Sequence, residues 1–163
     1  MIDYIYICKE SIKNVYMKRI EAYKAYKLLQ ESRLTKMQDS DKFLVIKAMR
    51  ELRPLSEEYE KDEKEGLEAL KDEGFESMQE KAAKHEEALR EGNKEGLLPL
   101  EELNEVNAFF REYQKNVKKL LEDIQNKECE LSYKRISEDA FGKFVASNDL
   151  KCEEIVTLYD ALV

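Results

Sequence analysis

The sequence predicts a mainly α-helical fold: an elongated, coiled-coil-like antiparallel helical hairpin with a small α+β end module containing one or two short strands. Three observations point to it. Apolar residues make up 42% of the 163-residue chain and charged residues 39%, a mixture that suits long helices with narrow buried seams. Five glycines and two prolines supply too few turns for a sandwich or barrel of many strands. In the middle and later chain, apolar residues recur at alternating spacings of three and four, which places them on one helix face.

The opening MIDYIYICK alternates and is rich in Ile and Tyr, as a short strand is. Residues 1–16 read as an extension ahead of Met17, after which KRIEAYKAYKLLQES forms a first short helix, ending near Ser32. Past the polar break TKMQDSD, a second helix starts near Asp39 to Asp41, whose acids and serine suit the free N–H groups of a first turn. Its seam is Val45, Ala48, Leu52, Leu55 and Tyr59. Pro54 lies inside this helix and predicts a kink rather than a restart, because the seam keeps its phase across it.

Residues 59–92 are nearly all acid, lysine and alanine, with the chain's single histidine among them. Phe75, Met78, Ala82, His85 and Leu89 continue the same spacing, so His85 is read as a structural seam residue rather than a proton switch. Glu57 with Lys61, Glu60 with Lys64, Glu80 with Lys84 and Glu86 with Arg90 are spaced to pair along the exposed side, each worth about 0.2–0.5 kcal/mol. Gly92 to Gly96 ends the run and marks a mobile tip. The strongest pattern follows Pro99: Leu103, Val106, Phe110, Tyr113, Val117, Leu120 and Ile124, a stripe that needs a partner along its length. The second helix, with its similar seam, is the expected partner, placing Leu52, Leu55 and Tyr59 opposite Phe110, Tyr113 and Val117.

The ending changes character. From Cys129, CELSYKRI alternates as a half-buried strand, and the N-terminal YIYIC is a candidate to pair with it. Ser137 is a predicted N-cap for a short helix carrying Phe141, Phe144 and Val145, and a last helix starts at Asn148 or Asp149, burying Leu150, Ile155, Leu158, Tyr159 and Leu162. The whole reads as one domain, 1–163, with the hairpin over 17–127 and the end module over 128–163.

No catalytic pattern has the right spacing. The glycines make neither a dinucleotide fingerprint nor a phosphate loop, and one histidine excludes a His-Glu-x-x-His zinc site. Glu101, Glu102 and Glu105 are the acids nearest to a cation cluster, in a chain whose 36 acids make such groupings by composition. Sequence reasoning therefore assigns no catalytic residue, no metal site and no cofactor. Cys8, Cys129 and Cys152 are too scattered for a disulfide scaffold and read as small buried residues of a reducing compartment, with Cys8 and Cys129 as possible strand neighbours. No apolar run reaches the length of a membrane span, and a cytoplasmic location is expected.

Net charge is −8 and unevenly spread: six Lys/Arg face two Glu from Met17 to Lys36, whereas eighteen acids face seven Lys/Arg from Glu57 to Glu105. The acidic stretch repels phosphate backbones, which argues against nucleic acid as the main partner. The alternative to a protein partner rests on the basic N-terminal residues Lys18, Arg19, Lys24, Lys27 and Arg33.

The segments MKRIEAYKAYKLLQES, DKFLVIKAMRELRPLSEEYEKD, EELNEVNAFFREYQKNVKKLLEDIQNKECELSYKRI and SEDAF together resemble a family of short, acidic proteins encoded in phage and prophage genomes. Its members are built of a brief helix, a charged helical hairpin and a closing strand, Ile-Ser and helix module, in which Ile136 and Ser137 take the Ile-Ser place. The resemblance covers Met17 to Val163 and implies a phage-related role in the host cytoplasm, with no catalytic or ligand-binding residues to carry over. The expected function is a non-enzymatic interaction or assembly factor that presents its hairpin to a protein partner, a second copy included. The candidate partner-binding residues are Phe110, Tyr113, Val117, Leu52, Leu55 and Tyr59.

Overall fold

The computed structural model describes residues 15–163; the expected YIYIC strand and the neighbouring of Cys8 with Cys129 lie outside them. The elements are β1 (Val15–Lys18), α1 (Arg19–Glu31), α2 (Asp39–Ala69), α3 (Phe75–Glu91), a 3-10 turn (Lys94–Gly96), α4 (Leu100–Gln125), β2 (Glu128–Leu131), α5 (Glu138–Val145) and α6 (Cys152–Leu162). The fold is thus mainly helical with a two-stranded sheet. The described residues divide into two compact units, 15–59 with 126–163, and 60–125.

In the first unit β1 and β2 run antiparallel, with Val15 opposite Leu131, Tyr16 opposite Glu130, Met17 opposite Cys129 and Lys18 opposite Glu128. The boundary expected at Met17 therefore cuts through a strand. Met17 and Leu131 are buried while Tyr16, Lys18, Glu128 and Glu130 face outward, so the alternation seen in the sequence has the expected phase. The strand is shorter than predicted because Ser132 donates its N–H to the Glu51 carboxylate at 3.1 Å instead of continuing the ladder. Alternation nonetheless persists beyond it: Tyr133 is buried and its hydroxyl donates to the Ala161 carbonyl at 2.6 Å, and the Ile136 N–H donates to the Leu162 carbonyl at 2.9 Å. Burial pushes the Tyr133 phenol well above its usual range, which keeps it a neutral donor.

Two strands of four residues are not stable by themselves, and their inner face joins one apolar cluster with α1, α2, α5 and α6. Ala22 and Ala25 of α1 are fully buried, and their small side chains let α1 lie close against α6, where Leu158, Ala161 and Leu162 are buried. Val45, Ala48 and Leu52 bring α2 into the same cluster, and Phe141 and Phe144 bring α5. Tyr59 stacks on Tyr23 with ring centroids 4.6 Å apart. Helix α2 does not stop at Pro54, which is exposed; the carbonyl deprived of its bond belongs to Arg50, also exposed, where water can satisfy it.

Ser137 caps α5 as predicted, accepting the Ala140 N–H at 3.2 Å. The predicted cap of α6 is different. The helix begins at Cys152, so this thiol is exposed rather than buried, and Asn148 is engaged elsewhere. Its amide oxygen accepts the Arg33 N–H at 2.6 Å while its nitrogen donates to the carbonyls of Arg33 at 2.9 Å and Phe144 at 2.8 Å. One side chain thereby pairs with both backbone groups of Arg33, as a strand neighbour would. Beside it the Ser147 hydroxyl accepts the Lys36 N–H at 3.1 Å.

The second unit consists of residues 60–69 of α2 with α3 and α4. Here α2 and α4 pack together: a Cβ on Gly66 would sit only 2.8 Å from a terminal methyl of Leu120, so glycine permits the approach. Gly66 lies within α2, and the helix breaks at residues 70–74, where Asp72 accepts the Gly74 N–H at 3.0 Å. Of the predicted surface pairs, Glu80 with Lys84 and Glu86 with Arg90 form at 4.0 and 3.9 Å, while Glu57 bonds Arg53 at 2.7 Å rather than Lys61. Among the described residues, no helix is long and apolar enough to cross a membrane.

Replacing Asn148 by alanine is expected to lower stability by about 0.5–1.5 kcal/mol, since it removes the bonds that tie this side chain to both backbone groups of Arg33 and to the Phe144 carbonyl. Asn148→Asp is not expected to restore it, because a carboxylate cannot donate to the two carbonyls. Urea melts of the three proteins measure this.

Candidate interaction surface

In the second unit the stripe of α4 meets α3 and the end of α2. Phe75, at the start of α3, lies against Phe109, Phe110 and Tyr113 at centroid distances of 6.3, 6.0 and 4.9 Å. Lys81 of α3 pairs with Glu102 of α4 at 3.5 Å. Yet the large residues of this seam, Phe110, Tyr113, Val117 and Leu120 among them, are only half-buried; Ala88, Val106 and Ile124 are the buried apolar residues of the unit. One helix and part of another cover one side of the stripe and leave the other partly wet.

The cover ends at the return from α3 to α4. Leu89 continues the α3 spacing after His85, and Leu100 precedes Leu103 by three residues on α4, so both extend the seam by helical register. Both are exposed, Leu89 at 59% and Leu100 at 73%. Leu89 was expected on the inner line; that place is taken by Ala88, against which the chain folds back as Asn93 donates its N–H to the Ala88 carbonyl at 2.9 Å. Six glutamates and two basic residues lie between positions 86 and 102, so the two leucines sit in strongly acidic surroundings.

This return is held by specific hydrogen bonds. Gly92 closes α3 in the left-handed conformation, φ 67°, which a side chain would strain. The Asn93 side-chain oxygen accepts the N–H groups of Glu95 and Gly96 at 3.1 and 3.3 Å. Half-buried His85 completes it, its Nδ1 accepting the Leu98 N–H at 3.0 Å, which places the neutral ring's proton on Nε2. The lone histidine is thus a fastener for the loop that leads into α4.

The six residues proposed from sequence fall into two groups. Phe110, Tyr113 and Val117 line the seam of the second unit. Leu52, Leu55 and Tyr59 do not pair with them as expected: Leu52 is fully buried in the first unit's core, Leu55 packs on that core, and Tyr59 is stacked on Tyr23. The partner stretch of α2 is its last ten residues, around Gly66. The five basic residues are also divided. Arg19 is 7% exposed and bonded to Glu58 at 2.8 Å, and Arg33 is clasped by Asn148 through its backbone. Lys18 ends β1, while Lys24 and Lys27 border a shallow groove with Tyr23, Lys151, Glu153 and Glu154, a nearly balanced set of charges. Lys27 lies 5.4 Å from the Tyr23 ring centre. Among the described residues, no three His, Cys, Asp or Glu side chains are grouped to hold a metal ion; Glu102 is paired with Lys81, and Glu101 and Glu105 are exposed.

A second surface was missed by sequence reasoning. On the outer side of α2, Phe43 and Ile46 are exposed at 57% and 46%, next to the exposed Lys47 and Arg50. Lys47 lies over the Phe43 ring, 4.8 Å from its centre, and neither cation has a carboxylate partner among the described residues. The signal was present in FLVI, where apolar residues exceed what a narrow seam can absorb.

No family model, curated protein or solved structure matches the chain.

His85→Ala is expected to speed amide exchange at Leu98 and to cost about 1 kcal/mol of local stability, with exchange in α1 and α6 unchanged. Hydrogen exchange resolved by residue tests it.

Proposed function

We propose that the protein is a non-enzymatic interaction or assembly factor of phage or prophage origin, which presents its helical hairpin to a protein partner in the host cytoplasm. The phage context rests on the sequence resemblance. The binding role rests on one observation: the apolar seam of the hairpin outruns its cover and surfaces as Leu89 and Leu100 on a hydrogen-bonded return. A partner helix laid over this end would extend the seam already formed by Phe75, Phe109, Phe110 and Tyr113. Apolar side chains held on a fastened loop lose little freedom on binding, which favours affinity.

The test compares the wild type with Leu89→Ser/Leu100→Ser as bait in host extract, with bound proteins quantified by mass spectrometry. Both leucines are exposed, so the variant is expected to keep the wild-type melting curve. A defined protein, this chain included, is expected in stoichiometric yield on the wild type and at least about tenfold less on the variant. Recovery that ignores the two leucines for every bound protein overturns the reading.

A further inference from the structure

We infer that the partner of the hairpin return is a second copy of this chain, which docks through the exposed stripe Phe43, Ile46, Lys47 and Arg50 of α2. This rests on the reading of the return as a docking surface and names its occupant. The four residues are spaced three, four and seven apart from Phe43, so they form one face of the helix, and that face is outward because Val45, Ala48 and Leu52 point into the core. It combines an aromatic ring, an aliphatic side chain and two cations that have no carboxylate partner among the described residues. Of the cations in this stretch, Lys42 is paired with Asp39 at 2.8 Å, and the neighbouring Glu51 is bonded to Ser132, which leaves Lys47 and Arg50 as the charges the stripe presents.

The return is its complement, with two exposed leucines among six glutamates. Charge also decides which face meets which. Residues 60–125 hold nineteen acids and eleven basic residues, whereas the rest of the chain holds seventeen of each, so the second unit carries the entire net charge of −8. Two returns brought together would repel, and two basic stripes likewise. Stripe on return is the pairing in which apolar contact and charge act in the same direction. Such a contact is heterologous: the joined pair keeps one free stripe and one free return, and assembly proceeds head to tail.

The experiment uses the purified full-length chain and light scattering across a concentration series at about 0.05 M and about 0.5 M salt. At low salt the mass of the wild type is expected to rise with concentration, and the association to weaken at least about tenfold at high salt. Two variants then separate the faces. Lys47→Glu/Arg50→Glu removes the stripe, Leu89→Lys/Leu100→Lys removes the return, and each alone is expected to be monomeric. Mixed, they are expected to form a one-to-one dimer that grows no further, because one intact stripe meets one intact return. All substituted residues are exposed, and wild-type melting curves confirm folding; Ile46→Ser stands in if the charge reversal unfolds the chain. A wild type that stays monomeric throughout overturns the inference, and leaves the proposed function standing if host extract yields a different protein that depends on Leu89 and Leu100. Association unchanged by Lys47→Glu/Arg50→Glu, or a mixture without the dimer, overturns it too. So does a monomeric wild type that binds vesicles of anionic lipid through Lys47 and Arg50, which assigns the stripe to a lipid surface.

Discussion

The apolar stripe of α4 is the constraint on which the second unit depends. A helix with charges on every other face has no stability of its own in water beyond a marginal propensity, so it forms only where the stripe is covered. Cover comes from α3 through Phe75 and from α2 through the close approach at Gly66. It is thin: the large seam residues remain half-buried. The many ion pairs along these helices lie in water and add only tenths of a kcal/mol each, too little to replace burial. They set direction and solvation, while the seam sets whether the helices stay together.

The first unit solves a different problem. Its strands have four residues and α5 and α6 have eight and eleven, all too short to hold without tertiary partners. Side chains do what backbone ladders would do in a larger sheet. Asn148 reads both polar groups of Arg33, Glu51 ends the second strand by taking the Ser132 N–H, and Tyr133 reaches the last turn of α6. Buried Arg19 bridges to Glu58 at the margin of the same unit. Short elements are thereby fixed around Leu52, Phe144 and Leu158 with each buried side-chain polar atom among the described residues satisfied.

Periodicity carried most of the fold, because a stripe of apolar residues has one physical solution over a long stretch. The phase of α4, the inward line of α2, the alternation through Tyr133 and the cap at Ser137 all follow from spacing and capping chemistry. Register between helices was not legible: the second helix is long enough to offer two seams, and spacing alone cannot say that Leu52 serves one core while Gly66 serves another contact. Nor could spacing reveal the job of Asn148, whose preference for caps is satisfied equally well by a distant backbone. His85 was rightly placed near the seam, but its bond to Leu98 depends on a return loop that no pattern encodes.

Segregated charge is what makes a partly exposed seam workable. An apolar patch in neutral surroundings attracts any other apolar patch and gains little discrimination. Glutamates around Leu89 and Leu100 change the selection: an approaching surface that is acidic is repelled before contact, and one that is basic is drawn in over roughly the Debye length, about 8–10 Å at moderate salt. In the proposed docking the acids would add modest affinity after contact, since exposed pairs are worth little, and would act mainly on the choice of partner and its orientation. The proposed docking is served better by a return hydrogen-bonded through Gly92, Asn93 and His85 than by a free loop, for charge can select an orientation only when the groups that carry it are held in place.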